Sequence, residues 1–199
     1  MHRSLQILAP LCLLLLGALP ADAAETEAKV TVEKLHSVLL ETMQEGAQLG
    51  FAGRTTKLAP TLAASFDFET ISRLATGRYW AQIPADKKRE FIEVFTRLST
   101  ATYAENFKSF GGERFATRAT ENKKSAQLVK TVLIKSDGKE VSLNYLLAND
   151  QGRWRIVNVV AQGVSDLSLK RAEYTAVIGS DGIDTLIAKL KAKVASYGH

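Results

Sequence analysis

The chain has 199 residues, of which 46% are hydrophobic, with a formal net charge of +5 and a single cysteine. That length and composition suit one globular domain rather than a fibrous or low-complexity chain, and one cysteine excludes a disulfide framework. The basic surplus suits an anionic partner. However, Arg114, Arg118, Lys123, Lys124, Arg153, Arg155, Lys170 and Arg171 are scattered and lack the interleaved aromatics of a base-stacking platform, so no nucleic-acid partner is expected.

Met1-His2-Arg3 precedes an apolar run over residues 7–19, followed by Pro20 and the small residues Ala21-Asp22-Ala23-Ala24. This order is that of a secretory signal peptide, and the run falls short of the roughly 20 residues a spanning helix needs. Cys12 lies inside the run, not at the cleavage point where lipid attachment would require it. Residues 1–23 are therefore assigned to the signal peptide and 24–199 to a single, exported, soluble domain without cysteine.

Val32, Leu35, Val38, Leu39 and Met43 recur at helical spacing, and the pattern ends near Gly46 and Gly50. Residues 50–53 read as a turn and 58–64 as a short helix. Asp67 reads as the N-cap of the next helix, with Phe66 and Ile71 placed as a hydrophobic staple. That helix closes around Gly77, and another starts at Pro84, with Phe91, Val94, Phe95, Leu98 and Ala101 in one stripe until Gly111-Gly112.

From there the period changes to two. Segments 127–135, 140–148 and 153–161 read as antiparallel strands separated by Asp137-Gly138 and by Asn149-Asp150-Gln151-Gly152, with a weaker strand over 115–120. After Gly163 the helical period returns through Leu167, Leu169 and Tyr174, then through Ile183, Leu186, Ile187 and Leu190. Helices, a meander of strands, then helices again predict an α+β domain with helices on one face of an antiparallel sheet.

Catalytic material is sparse. Beyond His2, the histidines are His36 and His199, with His36 reading as a surface or boundary residue, and zinc spacings, P-loops and nucleophile elbows are absent. No catalytic residue, metal or cofactor is therefore assigned. A carboxylate pair would have to come from Asp67, Glu69, Glu93 or Glu105. Asp67 fits a cap, Glu69 a first helical turn, and the other two fall off the apolar stripe.

Apolar residues instead form facing surfaces. Val141, Leu143, Tyr145 and Leu147 share one face of a strand, and Trp154, Ile156 and Val160 one face of the next, with Val132 and Ile134 extending it. Opposed to Phe91, Phe95 and Leu98, they make either a dry core or a cavity, and periodicity leaves both open.

Three segments stand out: Phe66-Asp67-Phe68-Glu69-Thr70-Ile71 leading to Leu74, Gly77, Arg78, Tyr79 and Trp80; Phe91, Phe95, Leu98 and Tyr103; and Trp154-Arg155-Ile156-Val157-Asn158-Val159 with Gly163-Val164-Ser165 and Gly182-Ile183-Asp184-Thr185-Leu186-Ile187. Together they resemble the periplasmic lipid-binding proteins of the MlaC (toluene-tolerance) family. Asn158 stands where that family usually has Asp, and residues 165–174 look closer to its hopanoid-associated branch, HpnM. The resemblance implies a cone-like, NTF2-like fold around an apolar pocket for acyl chains, lined by the facing residues above together with Phe68, Ile71 and Val164. It further implies a monomeric periplasmic carrier of phospholipid or hopanoid, without cofactor. Such a carrier shuttles between an inner-membrane, ABC-transporter-associated complex and an outer-membrane complex, with Lys170 and Arg171 as candidate docking residues. The alternatives are a small-molecule enzyme on the same cone and a cargo-free adaptor.

Overall fold

The structure, a computed structural model, describes residues 21–198, with side chains from residue 27 onward. Apart from its last three positions, the signal-peptide assignment lies outside the described residues. Helices α1 (Ala21–Gln44), α2 (Gly46–Ser65), α3 (Phe68–Thr76) and α4 (Ala85–Asn106) precede strands β1 (Arg114–Lys123), β2 (Ala126–Ile134), β3 (Glu140–Asp150), β4 (Arg153–Ala161) and β5 (Val164–Ser165). Helix α5 (Asp166–Ala195) ends the fold. The strands form one antiparallel meander in the order β1-β2-β3-β4-β5, so the α+β reading holds. Among the described residues no helix is long and apolar enough to cross a membrane.

Helix α1 buries Ala28, Val32, Leu35, Leu39 and Met43, a stripe at three- and four-residue spacing. The turn expected at residues 50–53 is instead a kink inside α2, where Gly50 adopts φ 59° and helix continues on both sides. Asp67 caps α3 as expected, its carboxylate accepting from the Thr70 N–H at 3.0 Å. Its own N–H donates to the Ile156 carbonyl at 2.9 Å, which ties the α2–α3 corner to β4. Gly77 closes α3 with φ 55°, and a 3-10 turn (Gly77–Gln82) leads to Pro84, which stands just before α4 rather than in its first turn.

Helix α4 buries the whole predicted stripe, at roughly 1.5–3 kcal/mol for each large side chain. It stops at Asn106, short of Gly111-Gly112. Phe107 leaves the helix at ψ 48° and stacks on Tyr103, with ring centroids 5.6 Å apart, so burying this ring replaces another helical turn.

Strand β4 carries one extra residue against β3. Leu146 pairs with Asn158 but Leu147 pairs with Ile156, leaving Val157 as a bulge. Helix α5 begins at an N-cap, Ser165, whose hydroxyl accepts from the Ser168 N–H at 3.1 Å. It breaks at Gly182, with φ 82°, into two helical halves.

Candidate functional site

The inner face of the sheet and helices α3, α4 and α5 do not close on each other. They enclose a cavity of about 720 Å³. The sheet contributes Leu133, Val141, Leu143, Tyr145, Val157, Val159 and Ala161, the α2–α3 corner Phe66, Phe68 and Ile71, and α4 Phe95, Leu98, Tyr103 and the following Phe107. Leu167, Tyr174 and Leu190 of α5, with Tyr197 beyond it, complete the wall. Aromatic contacts hold that wall. Phe66 lies 5.6 Å from Phe68 and 5.8 Å edge-on from Tyr103, and Tyr174 is edge-on to Phe95 at 6.2 Å.

Charge is confined to the rim, where Asp166, Lys170 and Glu173 of α5's first half face Lys189 and Lys193 of its second. Lys170 pairs with Asp166, and Lys193 sits 5.5 Å above the Tyr197 ring. The Tyr197 hydroxyl shares a 3.2 Å hydrogen bond with Thr102 on α4. Asn158 also borders the cavity, and its side-chain oxygen accepts from the Leu167 N–H and the Ser165 hydroxyl, each at 3.2 Å. An amide oxygen fastens the start of α5 there, so the carboxylate usual in the resembling family is not needed for that bond.

Of the expected lining, Phe68, Ile71, Phe95, Leu98, Val141, Leu143 and Tyr145 border the cavity, and eight residues do not. Val132 and Ile134 pair with Ser142 and Glu140, whereas the neighbouring pair Leu133 and Val141 lines the wall, so alternation turns the first two outward. Val160 is corrected by the Val157 bulge: Val159 pairs with Tyr145 and Ala161 with Leu143, leaving Val160 on the opposite face. Leu147 and Ile156 point inward but are fully buried in close-packed core beyond the cavity's end. Phe91 lies behind Phe95, stacked on it at 6.0 Å. Trp154 lies in a separate, shallower depression with Val30 and Ala63. Val164 shares the face of Ala161 but stands outside, 51% exposed. Lys170 is at the rim, whereas the Arg171 guanidinium covers Gly77, so close that a Cβ there would meet it at 3.4 Å.

The sequence reading missed the bulge-shifted Val157, Val159 and Ala161, and the rim residues Asp166, Glu173, Lys189 and Lys193. Spacing carried part of that signal: residues 166, 170 and 173 recur at helical intervals on one face of α5. The carboxylates named from sequence do not converge. Asp67 caps α3 and pairs with Arg155 at 3.5 Å, Glu69 and Glu93 are exposed, and Glu105 pairs with Lys108. Asp166 and Glu173 border the cavity but stand two helical turns apart on α5, about 10 Å along its axis.

His36 is corrected as well. It is buried, not at the surface, stacked on Phe115 with centroids 3.9 Å apart, and its Nε2 lies 3.1 Å from the Tyr145 hydroxyl. Burial pulls its pKa down to about 4, so the ring is neutral at pH 7. Burial pushes the Tyr103, Tyr145 and Tyr174 hydroxyls well above the usual phenol range.

The fold and site thus define an α+β domain with an apolar internal cavity and a charged rim. The MlaC protein family model matches residues 33–192, and the chain belongs to that family. It is similar, at 22% identity over 120 residues, to the intermembrane phospholipid transport system binding protein MlaC of Haemophilus influenzae. That match covers 58% of this chain and spans 56% of the relative's length. A solved phospholipid-binding protein from Ralstonia solanacearum, in complex with a phospholipid, has the same fold. Its TM-score is 0.76 at 18% identity, covering 85% of this chain and 97% of that one.

Proposed function

We propose that this protein is a periplasmic carrier that holds the tails of a phospholipid, or the body of a hopanoid, inside the cavity while the polar end stays at the rim. It would pass its cargo between an inner-membrane transport complex and an outer-membrane lipid-handling complex, with Lys170 and Arg171 as docking residues. The observation that carries this reading is the contrast between a wall of aliphatic and aromatic side chains and a rim bearing all five charged groups of the site. The named ligand of the Ralstonia structure and the named system of the Haemophilus relative support it. Each buried methylene is worth about 0.8 kcal/mol, so shielding even one long tail stabilises it by on the order of 10 kcal/mol against water. Transfer needs no bond to be made or broken. The lean of residues 165–174 toward the hopanoid-associated branch keeps that second cargo in the reading.

Organic extraction and mass spectrometry of protein purified from its native host test the proposal. Co-purified lipid in near-stoichiometric amount is expected. A protein that is empty and also takes up no lipid from vesicles refutes it.

A further inference from the structure

The charges at the cavity mouth are not spread evenly. On the second half of α5 Leu186, Ile187 and Leu190 are buried, and at about 100° per residue Lys189 and Lys193 fall together on one flank of that stripe, with Lys191 on the other. Lys191 reaches Glu90 on α4 at 2.7 Å. Lys189 and Lys193 instead border the cavity, and among the described residues no carboxylate lies within ion-pair distance of either. Four residues apart, they are about 6 Å from each other along the axis, so both ammonium groups can reach one anion. The first half of α5 brings Asp166 and Glu173 to the mouth with Lys170, which is already paired with Asp166.

The positive side is held in place. Lys193 sits 5.5 Å above the Tyr197 ring, whose hydroxyl is 3.2 Å from that of Thr102. Thr102 donates its own hydrogen to the Leu98 carbonyl at 2.8 Å, so the phenol is the donor to Thr102 and the ring is pinned to α4. Ser99 and Asn106 flank Thr102 on the same face of α4, border the cavity with it, and make no side-chain hydrogen bond among the described residues. Uncharged donors thus stand beside the two ammonium groups.

Like charges on neighbouring helical turns repel, and an anion between them offsets that cost. An ammonium binds phosphate as a compact point charge, without the planar geometry a guanidinium demands. We infer that Lys189 and Lys193, with Ser99 and Asn106 beside them, hold the phosphodiester of the cargo's headgroup at the mouth of the cavity. Asp166 and Glu173 repel the same phosphate from the first half of α5, which fixes its side. This rests on the carrier reading and narrows it to phosphate-bearing lipids, because a neutral polyol head leaves the two lysines without an anion.

Dioctanoyl-phosphatidylglycerol and dioctanoylglycerol share their tails and differ by a head whose only charge is the phosphate. Each is titrated into delipidated protein by displacement of diphenylhexatriene, a neutral fluorophore. At low salt the phospholipid should bind roughly five- to tenfold more tightly, the effect of two exposed ion pairs, and the ratio should shrink at high salt. It should fall toward one when Lys189→Gln and Lys193→Gln are combined, and stay near the native value in Lys191→Gln, which removes the same charge from the other flank. If the double variant fails to fold by thermal melting, the single substitutions decide. A ratio near one in the native protein, a preference that survives the substitutions, or an equal loss in Lys191→Gln overturns the site. Glycerol 3-phosphate supplies the anion without tails, and if it binds as tightly as the phospholipid, the lysines serve a free phosphate ester and the lipid assignment falls. Equal binding of the two lipids defeats only this inference. Failure of both to bind defeats the carrier reading with it.

Discussion

Acidification should weaken this protein through one identifiable side chain. His36 is clamped between Phe115 and the Tyr145 hydroxyl, and burial holds its pKa at about 4 against an ordinary 6.5. The folded state therefore resists protonation while the unfolded chain accepts it. The stabilising contribution is fully present above pH 6.5 and is lost as pH falls through the window down to about 4. A depression of about 2.5 units corresponds to a loss of about 2 kcal/mol by pH 5 and about 3 kcal/mol by pH 4. The assay is urea unfolding of the native protein and of His36→Gln at intervals from pH 7.5 to 4. Carboxylates titrate alike in both proteins, so the difference between the two stabilities isolates His36. The native protein should lose about 3 kcal/mol relative to the variant across that range. A pH-independent difference would refute the burial argument.

Four further outcomes follow from the packing. Leu143→Glu places a carboxylate in the cavity wall and should abolish lipid retention by mass spectrometry with the circular dichroism spectrum intact. Ile156→Glu, in fully buried core, should prevent folding outright. Arg54 is buried and donates to the Ala104 carbonyl at 2.8 Å and the Gly46 carbonyl at 2.9 Å, so Arg54→Ala strands both acceptors and should cost about 2–4 kcal/mol in urea melts. At Gly46 a methyl would sit 2.0 Å from the Lys108 carbonyl oxygen. Helix propensity favours alanine there by less than about 1 kcal/mol, so the backbone clash wins and Gly46→Ala should lower the melting temperature by several degrees.

Much of the architecture was legible in the sequence because it rests on local chemistry. Asp67 has a short acceptor at the right offset from Thr70, Gly77 meets a positive φ, and the stripe from Phe91 to Ala101 has one buried face. The cavity was half legible. Alternation placed Val141, Leu143 and Tyr145 because β3 is regular from residue 140 to 146. It misplaced Val160 because an extra residue in a strand leaves no mark on a period-two pattern. For Val132 and Ile134, the run Val129-Lys130-Thr131-Val132-Leu133-Ile134 offers apolar residues on both faces, and only pairing with β3 shows which face is inward. The burial of His36 depends on Phe115 and Tyr145, residues 79 and 109 positions away in the chain, as the numbering shows. No local window holds that information.

The bulge at Val157 makes β4 legible in two frames. Before it, even-numbered side chains face inward and complete the core with Ile156; after it, odd-numbered ones do, and Val159 and Ala161 line the cavity. One strand thus belongs to two compartments, with Val157 as the splice between solid packing and open space. Removing that single residue would merge the two frames into one: Ile156, Val159 and Ala161 would alternate regularly against Leu147, Tyr145 and Leu143, so the wall would keep its inward face and lose only the bulge.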